Sequence, residues 1–275
     1  MDQTGEYDFN QTIAFIFTTV LTSRAGQSNE LLKDMRTAFI TGGTGTIGEA
    51  LVVAFSGAGY SVVFQYGRQA VQASRISAQY SAEAIQLDLA TSFAPPDIPV
   101  DVLVNCAGIN VADSLIHETS IEDWLLTMSV NIHAPFLLTK AYLPRMIEQD
   151  WGRIININSI YGLKASEGNG AYNASKHGLT GLTKSIAKDY GQYNITCNQI
   201  CPGAVDSQLM NRIATRIESD TGQEAKAFLD EVASTYPTGN LVNAQDVCGI
   251  ALFLASDEAR PINGVSIPVD YGLTC

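Results

Sequence analysis

The chain has 275 residues, 46% hydrophobic and 16% charged, with a net charge of -12 and an isoelectric point near 4.6. This is enough for one large α/β core or two small ones, and the composition is that of a folded protein, not a disordered one. The acidic balance argues against nucleic acid and membrane surfaces as partners, because both are bound through a basic face.

Residues 1–34 stand apart. An acidic start, MDQTGEYDFNQ, precedes the apolar run IAFIFTTVL at 13–21. That run is well short of the roughly 20 residues of a membrane span, and its acidic flank is wrong for a secretory signal. Residues 1–34 read as an N-terminal extension of unknown role, either an appendage or a packing or oligomer-contact segment. Residues 35–275 read as one domain.

From Met35 short apolar runs alternate with helical patterns. Strands are expected at 36–41, 61–66, 84–87, 102–105, 154–158, 196–200 and 265–269. Most are continuously apolar, as strands covered on both faces of a parallel sheet must be. Helix-like segments lie between them, for example at 47–56, 120–148, 171–190 and 244–255. The alternation implies right-handed βαβ units, an α/β fold with a doubly wound parallel sheet. The polar helical stretch 206–240 breaks the rhythm and is a candidate lid. Cys106, Cys197, Cys201, Cys248 and Cys275 form no CxxC pair and mostly sit in apolar runs, which suits free thiols in a reducing cytoplasm. His117, His133 and His177 lack metal-ligand spacing, so no metal is expected.

TGGTGTIG, 41–48, follows the first strand and opens a helix. Gly43, Gly45 and Gly48 satisfy G-x-G-x-x-G in the context its mechanism requires. Glycines admit a pyrophosphate close to the backbone, and the helix N-terminus supplies N–H groups and positive dipole. The alternative is a tight glycine turn without a ligand. An NAD site would carry an acid at the end of the second strand. Here Tyr66 stands 18 residues after Gly48, no Asp or Glu occurs from Ser61 to Val71, and Arg68 is nearby. A guanidinium can pair with a 2′-phosphate, so NADP(H) is favoured and NAD(H) remains possible. The alternative for Arg68 is a solvated surface charge.

AYNASKHGLTG, 171–181, holds Tyr172 and Lys176 four apart, on one face of a helix. A free phenol titrates near 10, and an adjacent ammonium is expected to bring it toward neutral pH, where it can exchange a proton with a carbonyl oxygen. Taken alone, the pair would read as a surface accident. Ser159, 13 residues before Tyr172 and just past a strand, adds a hydroxyl that can donate to an oxygen gaining charge.

These pieces together resemble the short-chain dehydrogenase/reductase family over about residues 36–273. The resemblance is carried by TGGTGTIG, Asp88 in LDLA, NCAG (105–108), Asn131 in SVNIHAPF, Ser159, YNASK, CPG (201–203) with Val205 and Ser207, and FLASDEARPINGVSIPVDYG. It implies a single-domain Rossmann fold and an NAD(P)-dependent oxidoreductase acting on a ketone or secondary alcohol. Tyr172 would be the acid/base, Ser159 the oxyanion donor, Lys176 the tuner and ribose holder, and Asn131 the link to a water relay. Gly42, Thr44, Gly45, Thr46, Ile47 and Gly48 would hold the pyrophosphate, with Arg68 beside the adenosine ribose. Asp88 and Leu89 would sit at the adenine, Asn105, Ala107 and Gly108 along the nucleotide, and Pro202, Gly203, Val205 and Ser207 at the nicotinamide.

Three departures from the family pattern stand out. Thr46 replaces the middle glycine of the common short form, the 88–101 crossover is short and proline-bearing, and Tyr271 stands where a second glycine is usual. The motifs look most like 3-oxoacyl-carrier-protein reductases, although Glu148 and Asp150 argue against docking an acidic carrier protein. Asn110, Tyr161 and Asn169 stand where hydroxybutyrate dehydrogenases hold a carboxylate, and no cation is apparent there. The expected substrate is a small ketone or acyl thioester, in a homotetramer or homodimer built on helices 120–148 and 171–190. The alternatives are an NAD-dependent hydroxy-acid or polyol dehydrogenase and a non-catalytic nucleotide-binding scaffold.

Overall fold

Seven strands form the sheet: β1 (Thr37–Ile40), β2 (Ser61–Tyr66), β3 (Glu83–Gln86), β4 (Val102–Asn105), β5 (Gly152–Ile157), β6 (Ile195–Pro202) and β7 (Ser266–Val269). The computed structural model describes residues 35–111 and 114–275, so the N-terminal extension expected at 1–34 lies outside the described residues. All strands pair in parallel in the order β3-β2-β1-β4-β5-β6-β7. Every strand therefore ends at the same edge, and the order reverses between β1 and β4, where open α/β sheets bind ligands.

Among the described residues eight α-helices accompany the sheet: α1 (Thr46–Gly57), α2 (Ala70–Tyr80), α3 (Ile121–Met128), α4 (Ala134–Glu148), α5 (Gly170–Tyr190), α6 (Gln208–Thr221), α7 (Ala225–Ser234) and α8 (Ala244–Ala255). Strand side chains alternate between faces, and the core divides accordingly. Ile40, Val104 and Ile155 pack with Leu51, Val52 and Phe55 of α1 and Val247, Ala251 and Leu254 of α8. Phe39, Leu103 and Ile154 pack on the other face with Leu138, Tyr142 and Met146 of α4 and Ile186 of α5. Among the described residues no helix is long and apolar enough to cross a membrane.

Three details differ from the expected elements or refine them. The helix expected over 120–148 is interrupted by a wide π turn at Ser129–His133, which separates α3 from α4. Such bulges gather at functional positions, and this one carries Asn131. The 88–101 crossover holds no helix, as its prolines suggested; Tyr142 Oη donates to Pro96 O at 3.0 Å and pins it to α4. The 206–240 stretch is the helix pair α6 and α7. A backbone stem closes its base: Asp206 N donates to Val242 O and Val242 N to Ala204 O, both at 2.9 Å.

The edge away from the strand ends is held by charge and aromatics. Arg153 at the start of β5 is fully buried and donates to the carbonyls of Gly152, Asn194 and Ser256 and to Asp257. Trp151 is sandwiched between the Arg36 and Arg153 guanidinia, 3.6 and 4.3 Å from its ring centroid, and donates to Asp257 at 2.8 Å. Arg153→Leu leaves three carbonyls without their donor, and the expected loss is about 3 kcal/mol. Urea unfolding checks this. A midpoint unchanged from the parent would show that water replaces the guanidinium without cost.

Candidate active site

The parallel topology brings the motifs to one rim. After β1 the chain turns through Gly42, whose φ of +68° favours glycine. Gly42 N–H donates to Gln65 Oε1 at 2.8 Å, and Gly42 O accepts from Gly45 N at 2.9 Å. Gly45 caps α1 and offers no side chain to its first turn. The N–H groups of Thr46, Ile47 and Gly48 therefore have neither an intrahelical nor a side-chain partner from the cap, which is the donor set an anion needs. A Cβ on Gly48 would lie 2.0 Å from Gly42 O, and one on Gly42 2.9 Å from Ala107 Cα. The turn is as tight as backbone packing permits, and Thr44 is buried within it. Thr46 does not disturb it, since its hydroxyl turns to accept from Gln208 N at 3.4 Å. These features fit a dinucleotide pyrophosphate.

Further along the rim, Arg68 is exposed in the turn after β2, and Asp88 is exposed after β3 with its carboxylate accepting from Ala90 N. The side chain of Leu89 is not on the rim; it is buried against Val130 and Ala134, which leaves only its backbone to a ligand. Asn105 points inward as well, donating to Asn156 Oδ1 at 2.8 Å, and its own Oδ1 is buried without a partner. Ala107 N and Cys106 N both donate to the buried Thr41 hydroxyl, at 3.0 and 2.9 Å. Pro202 ends β6, Gly203 N donates to Val269 O, Val205 bridges Val242, and Ser207 caps α6.

Ser159, Tyr172, Lys176 and Asn131 lie together at the end of β5. Ser159 caps a short 3-10 turn, accepting from Tyr161 N at 3.1 Å. Its hydroxyl lies near enough to the Tyr172 phenol to pull the phenol's pKa down. Lys176 is buried and donates from Nζ to Ile157 O at 3.1 Å, with its ammonium 5.6 Å from the Tyr172 ring centroid. A Cβ on Gly108 would sit 3.4 Å from Lys176 Nζ and 3.6 Å from Asn131 Oδ1, so the nucleotide rim and this cluster are contiguous. From the π turn, Asn131 donates to Ile109 O and Ser175 Oγ and accepts from Ile109 N.

The electrostatics correct one expectation. The phenol of Tyr172 is not drawn toward neutral pH in the chain by itself. Desolvation raises it to about 12; Ser159 pulls it down only in part, and Tyr161 pushes it further up. Burial drives Lys176 the other way, down to about 8. Removing a charge from water outweighs the ammonium's influence on its neighbour here. Gln65 and Thr41 were absent from the expected site. Their side chains tie together segments that follow different strands; Thr41 opens the TGGTGTIG motif, while nothing local in the sequence marks Gln65.

A family model, short chain dehydrogenase, matches residues 36–218. The chain belongs to the short-chain dehydrogenase family. It is an NAD(P)-dependent oxidoreductase of that family. It is 31% identical to an acetoacetyl-CoA reductase of Shinella zoogloeoides, over 86% of this chain and 98% of that one. It is also 31% identical to a D-beta-hydroxybutyrate dehydrogenase of Rhizobium meliloti (strain 1021), over 87% and 98%. Among solved structures, a single-substitution variant of actinorhodin polyketide ketoreductase with NADPH superposes with a TM-score of 0.80 at 25% identity, covering 87% of this chain and 97% of that one.

Proposed function

We propose that this short-chain dehydrogenase is a cytoplasmic ketoreductase that uses NADP(H) in preference to NAD(H) to reduce a 3-oxoacyl thioester whose acyl group carries no charge. The reading is carried by the convergence of Ser159, Tyr172 and Lys176 at the end of β5, next to the glycine turn and Gly108. The bound nicotinamide supplies the hydride. Tyr172 gives its proton to the carbonyl oxygen; a phenol held at about 12 is fully protonated at neutral pH, the form reduction needs. Ser159 donates to that oxygen as charge grows on it. Lys176 stabilises the phenolate left behind and holds the ribose, and Asn131 ties the 109 backbone to α5 through Ser175 and leads toward a water relay.

Two observations support an uncharged acyl group. Asn110 donates to Asn169 Oδ1 at 2.6 Å, so this part of the rim is occupied by paired amides, not by a cation. The similarity to an acetoacetyl-CoA reductase points the same way. The likeness to a D-beta-hydroxybutyrate dehydrogenase supports NAD-dependent hydroxy-acid oxidation as the second reading. NADPH absorbance loss with acetoacetyl-CoA, set against NAD reduction with 3-hydroxybutyrate, separates them; faster turnover of the second pair would sink the first.

NADPH preference is assigned to Arg68. Arg68→Ala is expected to lower kcat/KM for NADPH by about 10- to 100-fold, the value of a charge-assisted bond, and to leave NADH unchanged. An equal fall for both cofactors would make Arg68 structural. Ile121, Leu125 and Phe136 expose apolar surface on α3 and α4, which supports a homotetramer or homodimer through those helices, open to test by light scattering.

A further inference from the structure

Gln65 is an amide on the penultimate residue of β2, in a strand otherwise made of apolar and aromatic side chains apart from its first serine. It is 3% exposed. An amide buried so deeply must be hydrogen-bonded or it costs stability, and both ends of this one are used. Oε1 accepts from Gly42 N at 2.8 Å, and Nε2 donates to Leu87 O at 2.5 Å. Its backbone carbonyl accepts from Gly43 N at 2.9 Å. One residue thus ties the glycine turn after β1 to the rim of β2 and to the segment that enters Asp88 after β3. These are the three stretches expected to face the adenosine half and the pyrophosphate.

We propose that Gln65 is a positioning residue for the dinucleotide. It touches no reacting atom. Its side chain holds Gly42 N and its carbonyl holds Gly43 N, so it fixes both peptides flanking Gly42, whose oxygen accepts from Gly45 N at the start of α1, and so presets the first-turn N–H groups for the pyrophosphate. A methionine of similar length fills the same space but can neither accept from Gly42 nor donate to Leu87. The inference rests on the reading of this chain as an NADP(H) enzyme.

The test is direct NADPH binding, followed by fluorescence of the cofactor with the full chain, together with amide hydrogen exchange without cofactor. Q65M is expected to raise the NADPH Kd about tenfold and to speed exchange over 41–48, with β5 and β6 unmoved. With NADPH varied, KM for the cofactor rises far more than kcat falls. A Kd and exchange pattern matching the parent would overturn the assignment. So would an equal acceleration of exchange across the whole sheet, since that is loss of structure and not of positioning. Should Q65M fail to fold, Q65N takes its place; its amide is one methylene too short to reach both partners, and parent-like NADPH binding by Q65N overturns the proposal. Failure of the parent chain to bind NADPH would instead sink the cofactor reading itself.

Discussion

Tyr172→Phe is expected to lower kcat by about 10²- to 10⁴-fold, the usual range for loss of a positioned general acid, while the NADPH Kd stays within about twofold of the parent. The substitution removes one oxygen and keeps the ring, including its edge-on contact with Tyr161 at 6.4 Å between centroids. Folding should change little, because the ring stays in place and Ser159 keeps the bond it accepts from Tyr161 N. Steady-state NADPH oxidation with acetoacetyl-CoA, alongside cofactor titration, reads both quantities. Parent-like turnover would remove Tyr172 from the chemistry and with it the proposed proton route. Loss of both turnover and cofactor binding would instead show the phenol to be a binding group.

Gly48→Ala should be the most damaging single methyl in the chain. Its Cβ would meet Gly42 O at 2.0 Å, Gly42 C at 2.7 Å and Gly43 Cα at 2.9 Å. All three are backbone atoms, so no rotamer relieves the clash; α1 must shift away from the turn. Overpacking of this kind costs about 1–3 kcal/mol and sometimes more, which exceeds the roughly 1 kcal/mol that alanine gains over glycine inside a helix. The shift also moves the first-turn N–H groups, so NADPH affinity should fall by more than about tenfold. Gly181→Ala is the matched control. It lies within α5, its Cβ would meet nothing within 4 Å, and it should stabilise by about 0.5–1 kcal/mol. Thermal melts and NADPH titrations of the two variants give opposite signs if the argument holds; similar behaviour would mean that the turn yields easily.

The strands were legible because burial on both faces leaves uninterrupted apolar runs such as VLVN at β4, and each observed strand lies within two residues of its expected ends at either side. The helix α2 was not among the helical segments singled out by name, and only Ala73 and Ile76 of it are buried. So thin a stripe gives little periodicity to detect. The Tyr172–Lys176 pair was readable from helical spacing alone, since four residues return to the same face. The direction of the Tyr172 shift was not, because desolvation depends on what the rest of the fold stacks over the phenol. The same holds for Asn131, whose bonds to the 109 backbone need the π turn, and for Thr41 and Gln65, whose partners lie just past the ends of other strands. Side chains that act through long-range contacts leave no local signature.

The closed stem beneath α6 and α7 has an evolutionary and practical corollary. Val205 and Val242 lie side by side as a parallel bridge, so the chain leaves for α6 and α7 and comes back from them at nearly one point. Whatever intervenes is a cassette. Changing its length or sequence is expected to alter what the neighbouring rim admits, while the segments that carry Ser159, Tyr172 and Lys176 are left as they stand.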